Sequence, residues 1–418
     1  MENGAFYRAM WRWHFYAGLI VLPVLALMAV TGALYLYKPE IERAVYHDWI
    51  VMGASGEALP PSRLVAAVEK ASGGTVSQLQ RPASADESWR LTVGRTTWFV
   101  DPHDGRLLGS MTNGGIMKTV KDLHSLVLTG PIGNRLVEVV AGWAILLCVT
   151  GLYLRWPCRG NRALALRGRP GGRLFWRDLH GTVGFLAAGV ILFLAVTGLP
   201  WTEVWGGGLR AMVAAQDWGR PKLGAIPWTA PVKETLPWTL RESGAVPGGT
   251  GGVDVDAVAR IAAQRGVTGG YMIGFPATAG APWLVTTLVV QAEDARALTI
   301  DAGSGAVEQD IDWRMFGAGA KAVEWGVATH QGQEYGEPNR LLMLAGCLCL
   351  LLLCGTAPVL WWKRRPEAGL TAPPAAPPAA RRNVAVLMLL LGLVFPLTGL
   401  SMVAALLGEW GLVRLRRA

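Results

Sequence analysis

The sequence predicts a mainly α-helical membrane protein. Two pseudo-symmetric helix pairs are followed by a C-terminal hydrophobic helix, and each pair encloses an extramembrane α+β domain. Apolar runs near residues 15–36, 136–154, 182–200, 341–360 and 384–407 can each supply the ~20 residues that cross a bilayer core. Two of these runs open with the same unit, WRWHFYAGLIVLPVLALMAVTGALY and WRDLHGTVGFLAAGVILFLAVTGLP. The third observation is charge: basic residues cluster at the ends of the apolar runs rather than spreading along the chain.

The 418-residue chain is 51% hydrophobic and only 17% charged, which excludes disorder and fits a membrane protein with sizeable outer parts. The first run is too long, and too embedded in a repeat, for a cleaved signal peptide, so it reads as a retained anchor. The net charge of +9 is topological, not a nucleic-acid signal. Arg155, Arg159, Arg162, Arg167, Arg169, Arg173 and Arg177 form one block without an acid, Lys363, Arg364, Arg365, Arg381 and Arg382 form another, and Arg8 and Arg12 precede the first run. Basic loops stay in the cytoplasm, so the N-terminus is expected inside and the long segments outside. The five cysteines form no framework. Cys148, Cys347, Cys349 and Cys354 lie in apolar runs, Cys158 lies in a basic loop, and no Cys-x-x-Cys pair supports a cluster or covalent haem attachment.

The expected order along the chain is helix 1 in 1–37, an outer domain in 38–120, and helix 2 with a preceding histidine segment in 121–157. A basic loop, 158–173, leads to helix 3 in 174–202, a second outer domain with a Trp-rich connector in 203–325, and helix 4 with its histidine segment in 326–365. A Pro/Ala linker, 366–383, reads as an extended spacer, and the C-terminal helix and tail occupy 384–418. The first outer domain has helical spacing over 61–71, a Gly73-Gly74 stop, and the strand candidates TVSQLQ, SWRLTVG and TWFVDPHDGRLLG. The second repeats the scheme with VDVDAVARIAAQRG, WLVTTLVVQ, ALTID and the turn IDAGSGAV. For the last apolar run, Phe395-Pro396 marks a bent or re-entrant segment as the alternative to a crossing helix.

These motifs, with the LH and TH segments around His124 and His330 and the WP and WWKRRP helix ends, resemble the PepSY-associated transmembrane family. That family, also called iron-regulated membrane proteins, includes ferrisiderophore reductases of the bacterial inner membrane. The resemblance covers essentially residues 5–410. It implies two periplasmic PepSY domains, b-type haem in the membrane part, and electron transfer to a ferric siderophore.

Four of the six histidines sit at repeat-related places. His14 and His180 each stand four residues before a glycine (Gly18, Gly184) and seventeen before Thr-Gly (Thr31-Gly32, Thr197-Gly198). His124 and His330 each precede an Asn-Arg pair (Asn134-Arg135, Asn339-Arg340) and an apolar run. A lone interfacial histidine is an amphipathic residue with a wet end; two matched pairs call for a shared reason. By topology His14 and His180 share the cytoplasmic face, and His124 and His330 the periplasmic one. Neutral imidazole is an axial ligand for haem iron, and a low-spin haem takes two. The expected ligand pairs are therefore His14 with His180 and His124 with His330, holding two haems b. Gly18 and Gly184 either clear room for a porphyrin face or let helices pack. Arg12, Arg155, Arg173, Arg177, Arg135 and Arg340 serve either haem propionates or topology. Glu138 either relays a proton or holds a haem, or else snorkels beside Arg135. His47 and His103 lack counterparts and read as surface residues.

The Gly-rich stretches follow no strand-to-helix turn, so no nucleotide fingerprint is present, and no cytoplasmic segment is large enough for a flavin domain. The expected function is an inner-membrane di-haem reductase of periplasmic ferric siderophore or another ferric chelate, fed by quinol or a separate cytoplasmic reductase. The alternatives are a non-enzymatic PepSY protein that binds or regulates a periplasmic partner, and a haem or siderophore permease subunit. The helices lack the paired broken segments of a transporter site, which weighs against the last.

Overall fold

The computed structural model describes residues 2–53, 56–156, 164–215, 218–219, 252–278, 280–364 and 376–415. Cys158, Arg159, Arg162, Trp228, Trp238, Arg365, Arg416, Arg417 and most of the Pro/Ala linker lie outside them. Among the described residues four helices are long and apolar enough to cross a membrane. They are α1 (Glu2–Tyr35), α6 (Pro131–Arg155), α7 (Arg173–Gly198) and, later in the chain, α11 (Gly336–Arg364). They form a closed ring: α1 packs on α6 and α11, and α7 packs on the same two. α1 and α7 thus occupy opposite corners, which gives the two sequence repeats a twofold relation.

The shorter helices are α2 (Lys38–Val45), α3 (His47–Ile50), α4 (Pro61–Ser72), α5 (Gly115–His124), α8 (Val204–Ala215), α9 (Val255–Gln264) and α10 (Ala318–His330). α4 stops at Gly73 in the left-handed conformation (φ 68°), where a side chain would be strained. α9 starts at Asp254, whose carboxylate accepts from the Ala257 N–H at 2.8 Å.

Outside the ring lies one eight-stranded antiparallel sheet, where the sequence suggested two separate units. Its strands are β1 (Gln78–Arg81), β2 (Trp89–Val93), β3 (Thr96–Val100), β4 (Leu107–Thr112), β5 (Tyr271–Gly274), β6 (Trp283–Thr287), β7 (Arg296–Ile300) and β8 (Val307–Asp312). Their order is β4-β3-β2-β1-β5-β6-β7-β8. Register makes the halves equivalent. Trp89 lies opposite Val100 and Trp283 opposite Ile300. The outer pairs slip at the same place, between Phe99 and Val100 and between Thr299 and Ile300.

Under that equivalence Leu79 corresponds to Ile273, and these two residues face each other across the β1–β5 junction. A residue paired with its own counterpart lies on a twofold axis. The covering helices agree. Ser62 stands two residues before the buried Leu64 of α4, as Asp256 does before Val258 of α9, and Ser62 donates to Asp256 from its N–H (2.8 Å) and hydroxyl (2.5 Å). The apolar face beneath these helices carries Leu79, Leu91, Val100, Ile273, Val285, Leu298 and Ile300, each worth roughly 1.5–3 kcal/mol when buried.

The C-terminal run departs from a single crossing helix. It forms α12 (Pro378–Val394) and α13 (Pro396–Leu415), broken at Phe395 because Pro396 has no N–H and crowds the preceding turn. Continuing in one direction would carry Met402 about 20 Å beyond Met388. Instead both belong to one apolar cluster, Trp143 of α6 donates to Ser401 at 2.9 Å, and Gly392 packs against Gly399. The segment is a helical hairpin, α12 against α1 and α13 against α6.

Leu79 is fully buried at the junction of the sheet halves. Leu79→Ala should cost about 2–5 kcal/mol and lower the apparent Tm in detergent, whereas Leu79→Met should cost little. Equal Tm for the alanine variant and wild type would show that the junction contributes no stability.

Candidate functional site

A threonine inside a helix turns its hydroxyl back to a carbonyl one turn earlier. Thr31 donates to the Leu27 carbonyl at 2.7 Å, Thr150 to Leu146 at 2.7 Å, Thr197 to Phe193 at 2.7 Å and Thr356 to Leu353 at 3.1 Å. With its only proton committed, each hydroxyl can only accept another hydrogen bond. In all four cases the partner is Nδ1 of one of the repeat-matched histidines. His124 lies 3.0 Å from Thr31, His14 2.8 Å from Thr150, His330 2.8 Å from Thr197 and His180 2.7 Å from Thr356. Nδ1 therefore carries the ring proton and Nε2 keeps its lone pair.

Glycine after threonine completes the notch. A Cβ at Gly32 would stand 3.2 Å from Cε1 of His124, one at Gly151 3.2 Å from Cε1 of His14, and one at Gly198 3.8 Å from Cε1 of His330. The first two approaches are tighter than ordinary carbon contacts. At the fourth notch Ala357 follows Thr356.

Each histidine is held by the partner helix of its own repeat. His14 on α1 meets Thr150 on α6, and His124 at the end of α5 meets Thr31 on α1. The second repeat does the same between α7, α10 and α11. Two levels result, separated by the seventeen residues from His14 to Thr31, or ~25 Å of helix. His14 and His180 are neighbours at one level, and His124 and His330 at the other. Burial lowers the pKa of His124, and burial followed by the nearness of His124 pushes His330 down to about 3. The outer rings are thus neutral, the form that can ligate a metal.

His124 and His330 do not continue into the following spans. α5 ends at His124 and α6 begins at Pro131, after Leu126 (φ 51°) and Gly130 (φ 74°) turn the chain. α10 likewise ends at His330, six residues before α11. His47 is exposed beside Asp48 at 3.2 Å, and His103 sits in the β3–β4 turn. No group of three or more His, Cys, Asp or Glu able to hold a bare ion occurs among the described residues. Two imidazoles at one level with free Nε2 atoms suit a different guest, a flat complex that supplies the other ligands itself. Beside His330, Thr329 Oγ1 and Asn339 Oδ1 are buried without partners among the described residues; a carboxylate could accept from the Thr329 hydroxyl, whereas Asn339 Oδ1, itself an acceptor, needs a donor such as water.

The remaining expectations resolve individually. Gly18 faces Leu147 and Gly184 faces Leu353 at 3.8 and 3.6 Å, which is helix packing. Arg135 pairs with Glu203, and Arg340 pairs with Glu40 and Glu337 over the Tyr37 ring. Arg155 and Arg177, together with Arg167, surround the fully buried Asp178. Glu138 neither meets a histidine nor pairs with Arg135. Its carboxylate accepts from the N–H groups of Val204 (3.0 Å) and Trp205 (3.1 Å), capping α8, where a negative charge is favoured.

Sequence reasoning missed Thr150, Gly151 and Thr356, and gave Thr31 and Thr197 no role. A signal existed: within the apolar runs V-T-G occurs at Val30-Thr31-Gly32, Val149-Thr150-Gly151 and Val196-Thr197-Gly198, and outside them once more at Val267-Thr268-Gly269.

Ring, sheet and histidine levels define a multi-pass membrane protein built as a duplicated helix pair. The chain matches the PepSY-associated TM region over residues 11–364 and belongs to that family. No curated protein matches it.

Because Glu138 caps α8, Glu138→Ala should speed hydrogen exchange at Val204 and Trp205 while leaving any histidine-bound chromophore unchanged. A spectral change with normal exchange would instead assign Glu138 to the histidine site.

Proposed function

We infer that the protein is a di-haem b oxidoreductase of the bacterial inner membrane that carries electrons outward, with its N-terminus in the cytoplasm. The reading rests on four histidines at two levels, each with Nδ1 anchored to a threonine and Nε2 left free. Haem, when bound, would supply a one-electron iron couple at each level. His14 and His180 would hold one group, and His124 and His330 the other. The threonines fix each ring, and the apolar residues of the ring helices keep water and competing ligands away.

The sheet halves, read as two periplasmic PepSY-like domains, would hold the acceptor. Ferric siderophore or another ferric chelate is the proposed substrate. One electron converts each Fe(III) to Fe(II), which binds hard oxygen donors less tightly and is released. Quinol or a cytoplasmic reductase is the proposed donor. One quinol, oxidised to quinone with loss of two protons, would serve two ferric ions. The Arg155–Asp178–Arg167 cluster suits a cytoplasmic face, since basic residues are retained there.

The test is an absorption spectrum of protein made with ample haem. Two haems per chain, with a Soret band and a reducible α-band, are expected, and prereduced protein should be oxidised by ferric siderophore in stopped-flow. His14→Ala should remove about one haem and leave the other spectrum intact. Absence of a Soret band in wild type would remove the reading; equal loss of both haems in every single histidine variant would remove the pairing.

A further inference from the structure

Duplication accounts for the match of Thr31 with Thr197 and of Thr150 with Thr356, but not for the same geometry at two different helices within one repeat, at Thr31 and Thr150 in the first and at Thr197 and Thr356 in the second. Each uses its proton on its own helix and offers its oxygen to a histidine from another helix. Simple helix packing needs no such polarity. A valine would fill the same space without placing a hydroxyl in an apolar bundle, where polar groups are costly.

We propose that Thr31, Thr150, Thr197 and Thr356 are positioning residues that fix the Nδ1–H tautomer and ring rotation of His124, His14, His330 and His180, and thereby set the redox poise of each level. The inference rests on the di-haem reading. A histidine that donates through Nδ1–H gains imidazolate character and becomes a stronger donor at Nε2. Stronger donation favours the ferric state and lowers the potential. A glycine follows Thr31, Thr150 and Thr197, but Ala357 follows Thr356 and His180 still lies 2.7 Å from that hydroxyl, so the threonine rather than the glycine is the common element.

The levels are separable. Thr31 and Thr197 act on the pair formed by His124 and His330, and Thr150 and Thr356 act on the pair formed by His14 and His180. Thr→Val preserves shape and removes the acceptor; Thr→Ser keeps the acceptor.

The experiment is a spectroelectrochemical titration, with low-temperature EPR, of wild-type, Thr31→Val, Thr31→Ser, Thr150→Val and Thr150→Ser proteins purified in detergent. Thr31→Val should raise the midpoint potential of one haem and shift its EPR g values, leaving the other haem as in wild type. Thr150→Val should do the converse, and both serine variants should return to wild-type values. Haem loss in a valine variant that the serine variant restores also supports the proposal. Unshifted potentials and g values in both valine variants, or equal haem loss in valine and serine variants, would overturn it. A wild type that binds no haem overturns the functional reading and this inference together; a di-haem wild type with unshifted valine variants overturns this inference alone.

Discussion

An imidazole N–H enclosed by apolar helices has to find an acceptor, since no water is there to take its place. The arrangement of the membrane ring follows from where that acceptor comes from. A helix has no spare carbonyls in its interior, so the partner must be a side chain that already belongs to the helix hydrogen-bond system. Threonine bonded back to its own helix is such a group, presenting an oxygen with free lone pairs and no free proton. Because the oxygen lies on another helix, His14 ties α1 to α6 and His180 ties α7 to α11, while His124 ties α5 to α1 and His330 ties α10 to α7. The same bond that satisfies the ring also fixes the register of the helix pair.

The twofold relation extends from that ring to the sheet. Leu79 opposite Ile273 and Ser62 on Asp256 are contacts between counterparts. Arg135 with Glu203 and Arg340 with Glu40 repeat one cross-link, from the start of a returning helix to the residues after an outgoing one in the other repeat. These exposed pairs contribute little energy alone, but they join the repeats at the rim, where the sheet meets the bundle.

The sequence revealed the histidines because duplication printed each of them twice. It revealed α4, α9 and most strands because their patterns are local. β5 went unnamed: Tyr271–Gly274 is four residues long and buried throughout, so it offers no alternation to read. Fusion of the sheet halves went unread for a related reason, since pairing of β1 with β5 joins residues nearly two hundred positions apart. Glu138 was misjudged because its partners, the amides of Val204 and Trp205, are backbone groups that no composition advertises. The V-T-G triplets were visible, yet the second lies on α6 rather than on an outgoing helix, and only contact with His14 gives it meaning.

Where the copies differ is as informative as where they agree. The unit WRWH places Trp11, Arg12 and Trp13 before His14, whereas RDLH places Arg177, Asp178 and Leu179 before His180. Trp13 stacks on Trp143 with ring centroids 6.0 Å apart, and Met388 of the hairpin joins them around His14. On the other side Asp178 gathers arginines one turn or less from His180. The four notches keep the histidines alike while the surroundings of the level diverge. Among the described residues the hairpin packs on α1 and α6 and on no other ring helix to a comparable extent, which covers the seam beside His14 with protein.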